Sequence, residues 1–252
     1  MSDQHNNDSG ESSQPLIDHL IELRNRLIKT LLVVVLIFAC MVPFAGQIYH
    51  FIAEPLQARL TQGAGMIATE VTSTFLTPFK TSFVVAFFVA VPFVLYQAWA
   101  FIAPGLYSRE KRVAIPILVS SVFLFYAGMA FAYYVVFPIL FDFFVSAAQA
   151  DIKVMPDIRR YLDLVLKLFF AFGFAFEIPI AVVLLVWSGA VDADQLAKKR
   201  PYVLVGCFVI GMLLTPPDII SQSLLAVPMW LLFEVGLFFG RWVRSDKKVP
   251  EE

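Results

Sequence analysis

Glu177 sits near the centre of the apolar run 171–187, AFGFAFEIPIAVVLLVW, which is long enough to cross a bilayer. A carboxylate at such a depth costs about 2.5–3.5 kcal/mol by insertion scales, so a chain that keeps one has a partner or a use for it. Pro179 removes a backbone donor two residues further on. The base on the same run, Lys167, is ten residues away. On a helix that is about 15 Å, too far for contact. No other Lys or Arg lies at mid-depth in any apolar run. An unpaired acid in that position marks a candidate functional site.

Other reactive side chains are scarce. His5, His19 and His50 all fall outside the long apolar runs, so no intramembrane Ser–His pair is expected. There is no H-E-x-x-H, no G-x-S-x-G and no phosphate loop. Cys40 and Cys207 lie within apolar runs and read as small hydrophobes, and no Cys/His spacing suits a metal. The chain is therefore expected to be no enzyme and to hold neither metal nor cofactor. His19 with Glu22 reads as a solvated amphipathic face. Glu110, in SREKR, reads as a charge offsetting basic neighbours, and Glu234 as an interfacial ion pair with Arg241. Gly128 and Gly173 read as packing or bend positions.

These residues need elements to hold them, and the composition says which. Of 252 residues 59% are hydrophobic and 15% charged, and the charges are clustered between long uncharged runs. That is a polytopic, all-α membrane protein. A helix needs about 20 apolar residues to cross about 30 Å of hydrocarbon. Six spans are expected, near 27–45, 79–102, 114–140, 161–187, 202–215 and 222–240, the last two being short. Prolines 43, 92, 138, 179 and 228 lie within or near these spans and bend a helix wherever they fall inside one. Together they suggest a curved wall.

Thirteen of the 19 basic residues fall on one side: Arg24, Arg26, Lys29, Arg109, Lys111, Arg112, Lys198, Lys199, Arg200, Arg241, Arg244, Lys247 and Lys248. Both termini are therefore expected to be cytoplasmic. Residues 1–14 read as a disordered tail without a cleavable signal, 15–240 as one membrane domain, and 241–252 as a second tail. Leu16, Leu20, Leu23 and Leu27 form a helical stripe leading into the first span. Within the loop 46–77, a short amphipathic helix is expected over 48–60. The formal net charge of −1 gives no reason to expect a nucleic-acid partner.

Six stretches taken together resemble one family. They are HLIELRNRL at 19–27, YQAWAFIAPGLYSREKR at 96–112, FAYYVVFP at 131–138, FAFGFAFEIP at 170–179, KKRPYVLVG at 198–206 and GMLLTPPD at 211–218. Each is weak alone, but in this order they resemble the TatC subunit of the twin-arginine protein translocase. The resemblance implies a cup-shaped, six-helix protein of the bacterial inner membrane. It also implies a receptor for twin-arginine signal peptides of folded cargo, working with TatB, TatA, other TatC copies and the lipid bilayer. Transport in the family is driven by the proton-motive force. The family's signal-peptide acids fall on Glu22 and Glu110, with Phe101 and Arg24 nearby. Its TatA/TatB contact surface falls on Met212, Leu213, Thr215 and Gln222, and its intramembrane acid on Glu177. Paired carboxylates suit the planar fork of arginine better than they suit lysine. A different reading makes the chain a small-solute or ion transporter with Glu177 as its proton or cation site; flux by the purified protein alone would mark it.

Overall fold

The computed structural model describes residues 14–57, 66–102, 111–146, 155–189, 191–215 and 218–246. The sequence readings of 1–13, of the loop residues 58–65, of Glu110 and of the tail beyond 246 lie outside these. Among the described residues the chain is helical, with one isolated bridge between Ile67 and Asp157. The helices are α1 (Gln14–Met41), α2 (Ala45–Gln57), α3 (Ser73–Ile102), α4 (Lys111–Phe131) and α5 (Phe137–Ser146). They continue as α6 (Ile158–Ala175), α7 (Ile178–Trp187), α8 (Ala193–Lys198), α9 (Arg200–Leu214) and α10 (Ile219–Asp246).

Among the described residues, five helical stretches are long and apolar enough to span a membrane: His19–Glu54, Ser73–Phe101, Ile115–Phe144, Ile158–Trp187 and Ile219–Trp242. A sixth apolar helix, Arg200–Leu214, is shorter. Its 15 residues amount to about 22 Å, well under the hydrocarbon thickness of about 30 Å. The expected shortness holds for this span alone. The last helix runs for 28 residues, because Arg241 lies half-exposed at the end of the apolar stretch instead of terminating the helix. The first span also differs from its expected end at 45. It passes through a 3₁₀ turn, Val42–Phe44, straight into α2. Pro43 sits in that turn, where its missing N–H does least harm. The second span begins at Ser73, six residues before the expected 79.

Two other prolines leave visible marks. Ahead of Pro138 the chain widens into a π-helical turn, Ala132–Val136, in which the Phe137 N–H donates to the Ala132 carbonyl. The wider turn relieves the clash of the proline ring with the carbonyl four residues back. Ahead of Pro179 the fourth span breaks between α6 and α7. The Glu177 N–H donates to Phe174 O at 3.1 Å, and Pro179 has no N–H to offer the Ala175 carbonyl.

The chain forms two compact units. One comprises the segment up to Phe44 with Ser82–Leu118; the other comprises Ala45–Thr81 with the chain from Val119 onward. In the second unit, α6 buries Tyr161, Leu162, Val165, Leu166, Leu168, Phe169 and Phe172 at helical spacing. Glycines bring its backbone close to α4. A Cβ on Gly128 would collide with the Phe172 carbonyl oxygen, and one on Gly173 would lie 2.7 Å from the Phe125 ring. Both glycines are packing positions, as their sequence context predicts. Helix α10 packs along α7 in the same manner, with Gly236 against Pro179 and Gly240 against Val186. Val182, Phe233 and Leu237 fill the space between them. Large apolar side chains face outward elsewhere, among them Leu27, Leu31 and Leu36 on α1 and Phe123 on α4. A soluble surface would not tolerate such a belt; a lipid-facing one requires it.

Candidate functional sites

In the first unit, α1 and the end of α3 frame a cleft of about 490 Å³. Ile21, Glu22, Asn25, Arg26, Lys29, Tyr96 and Gln97 line it. Glu22 and Arg26 are one helical turn apart, so their side chains meet on one face. Arg26 donates from Nε at 2.9 Å and from Nη2 at 2.6 Å, both to Glu22 Oε1. Its Nη1 donates to Gln97 Oε1 at 2.9 Å, and Nη2 also reaches the Ala100 carbonyl at 3.5 Å. The guanidinium thus fixes the Glu22 carboxylate relative to α3. Both bonds end on Oε1, so Oε2 keeps acceptor capacity for an incoming donor. At 42% side-chain exposure the carboxylate is reachable. Phe101 stacks on His19 with ring centroids 4.2 Å apart. Arg24 is exposed, its Nη2 3.3 Å from Asn25 Oδ1.

Of the four residues expected here, Glu22, Phe101 and Arg24 lie in one unit, and Glu110 is outside the described residues. The sequence reading missed Arg26 and Gln97 as the groups that hold Glu22. The four-residue spacing of Glu22 and Arg26 was a usable signal. Nothing in the sequence pairs Arg26 with a residue 71 positions away.

Glu177 occupies the break between α6 and α7 and is only 8% exposed. Among the described residues neither carboxylate oxygen has a hydrogen-bond partner of ordinary geometry. The polar group facing it is the hydroxyl of Ser121 on α4, itself fully buried. No Lys or Arg forms an ion pair with it among the described residues.

On α9, Met212 and Leu213 are 52% and 72% exposed. Met212 and Gln222 line an apolar groove of about 340 Å³ with Leu204, Val205, Phe208 and Val209. Close approach of the two helices shapes this groove, for a Cβ on Gly211 would lie 3.3 Å from the Gln222 carbonyl oxygen. Thr215 is buried instead, donating its hydroxyl to Gly211 O at 2.9 Å. The same carbonyl accepts the Thr215 N–H at 3.0 Å, so Thr215 closes the helix end with both donors.

Polar contacts at the start of α6 are structural. Asp157 caps the helix, accepting on Oδ1 from the backbone N–H groups of Arg159 and Arg160. Its Oδ2 accepts from the Thr69 hydroxyl at 2.6 Å and the Thr69 N–H at 3.1 Å. These bonds, the hydroxyl's first, hold its carboxyl down at about 2. Arg159 pairs with Glu70, and Lys80 with Asp163 at 2.6 Å. Glu234, expected beside Arg241, pairs with Arg200 at 2.6 Å, and Arg241 reaches Asp194 at 3.3 Å. The base comes from a neighbouring helix, which periodicity along α10 cannot reveal.

Comparison with known proteins agrees with this fold. Residues 18–228 match the family model of the Sec-independent protein translocase protein TatC. The TatC protein of Azotobacter chroococcum is 58% identical over 238 residues, covering 94% of this chain and 93% of its own length. That of Escherichia coli K12 is 56% identical over 244 residues, covering 97% and 95%. A crystal structure of the twin-arginine translocase receptor TatC superposes with a TM-score of 0.81 at 37% identity, covering 90% of this chain and 99% of that one. With this architecture, and with relatives this similar over nearly its whole length, the chain belongs to the TatC family of Sec-independent protein translocase proteins.

Proposed function

We propose that the chain reads twin-arginine signal peptides with Glu22 and Glu110, and exports folded proteins with TatA and TatB using the proton-motive force. It does so in the bacterial inner membrane, with both termini in the cytoplasm, alongside other TatC copies. The observation that carries this reading is the Glu22 carboxylate, partly exposed in its cleft and held in place by Arg26. A guanidinium arriving at Oε2 meets an acceptor that is already oriented, so little side-chain entropy is lost on binding. Glu110 supplies the second carboxylate, and Phe101 and Arg24 complete the set of binding residues.

The groove containing Met212 and Gln222 takes an apolar helix face of TatA or TatB, with Leu213 at its rim. Thr215 shapes the end of α9 beneath that contact. Glu177 acts within the bilayer, where a polar group on a partner helix meets it. Reconstitution tests this reading. Vesicles holding the chain with TatA and TatB should import a folded twin-arginine cargo, and collapse of the proton gradient should stop them. Flux of small solutes or ions through vesicles holding the chain alone would contradict it.

A further inference from the structure

A second cleft, of about 500 Å³, lies between the start of α9 and the end of α10. Arg200, Glu234, Leu237, Phe238, Arg241 and Trp242 line it. Arg200 opens α9, and Trp242 closes the apolar stretch of α10. The cleft therefore lies at the depth where hydrocarbon gives way to head groups. Its apolar side has a buried floor, Leu237, and two outward-facing rings, Phe238 at 71% and Trp242 at 66% exposure.

The polar side is unevenly neutralised. Arg200 Nη2 donates to Glu234 Oε2 at 2.6 Å, so the charge of Glu234 is matched inside the cleft. Among the described residues Arg241 has only a 3.3 Å bond to Asp194, whose side chain is 77% exposed. A long bond to a solvated carboxylate is weak, and it leaves most of the five guanidinium donors uncommitted. Lys198 and Lys199, both exposed, immediately precede Arg200 and make the surroundings basic.

We propose that this cleft binds the phosphodiester of an anionic glycerophospholipid, with Arg241 forking the phosphate and an acyl chain lying along Phe238 and Trp242. A guanidinium fork matches phosphate geometry, and the two rings offer apolar surface that a free phosphate cannot use. The site is separate from the Glu22 cleft and does not depend on the signal-peptide reading.

Delipidated full-length protein in neutral detergent, given phosphatidylglycerol or phosphatidylcholine, allows retention of each lipid to be measured by native mass spectrometry. Phosphatidylglycerol should be retained about fivefold or more over phosphatidylcholine, and excess inorganic phosphate should not displace it. Arg241→Lys keeps the charge and loses the fork, and should reduce that preference to about twofold or less. Lys199→Gln removes a whole charge and should leave most of the preference. Arg241 is half-exposed, so its conservative variant should melt like the wild type without added lipid. Should Arg241→Lys fail to fold, Trp242→Ala takes its place and should shorten retention of phosphatidylglycerol. Equal retention of both lipids by the wild type overturns the site. So does a preference that survives Arg241→Lys, or Trp242→Ala in its place, and disappears with Lys199→Gln, which is the signature of diffuse surface charge. Displacement by inorganic phosphate would make the ligand a soluble phosphate and overturn the lipid assignment.

Discussion

Glu177 is an acid buried at a break in an apolar span. It is 8% exposed, with a serine hydroxyl facing it and, among the described residues, no base paired to it. Glu177→Gln keeps its shape and removes the charge, and a neutral side chain inserts more easily. The variant should accumulate in the membrane and bind signal peptide as the wild type does. Export of a folded reporter should fall on the order of tenfold, the size of one lost charge-assisted contact. Wild-type export at matched low expression would reduce Glu177 to a structural residue. Asp157 gives a second prediction. Its carboxyl is held at about 2, below an ordinary value of 3.8, so it binds protons less readily when folded. The resulting stabilisation is complete above about pH 4 and is lost as the pH falls towards 2. In melts between those limits Asp157→Asn should show a flatter acid limb than the wild type; parallel curves would contradict this. Of these two acids, Glu177 stood out in the sequence by its improbable surroundings. Ser121 and Thr69 did not, because contacts made by small hydroxyls across the fold leave no periodic trace.

At the scale of helices, backbone approach separates glycines that look alike in the sequence. A Cβ on Gly128 would collide with the Phe172 carbonyl oxygen, and that backbone atom cannot rotate away. Gly206 on α9 has nothing within 4 Å of the same position. Gly128→Ala should therefore destabilise the detergent-solubilised protein by about 1–3 kcal/mol, whereas Gly206→Ala should change it by less than about 0.5 kcal/mol. Thermal melts of the two variants decide it, and equal melting temperatures would mean that α4 and α6 do not approach as described. The sequence made the existence of these helices plain, because long apolar runs admit little else. Helix ends were less legible. The first span runs through Pro43 into α2, and α10 continues past Arg241, because neither a proline in a 3₁₀ turn nor a half-exposed arginine ends a helix. The break at Glu177 follows from Pro179, yet a proline in a span can kink a helix as easily as break it.

For the whole molecule, the chain is a multi-pass membrane protein and a component of the twin-arginine translocase. Its identity was legible in motifs that are individually weak and jointly specific. The cleft proposed for the signal peptide was only half legible. Glu22 stood in a motif, while the Arg26–Gln97 brace spans 71 positions and emerges only in space. A charge-assisted carboxylate–guanidinium contact at an interface contributes on the order of 1.5–3 kcal/mol, roughly ten- to a hundredfold in affinity. Glu22→Gln should cost somewhat less than Glu110→Gln, because the amide oxygen can still accept from Arg26. The most direct measurement compares the binding of twin-arginine and twin-lysine signal peptides to the wild type, Glu22→Gln and Glu110→Gln. The twin-arginine peptide should bind the wild type at least about tenfold more tightly, and each variant should lose most of that advantage with little further effect on the twin-lysine peptide. Equal losses for both peptides would contradict the pairing and return both acids to ordinary surface charges.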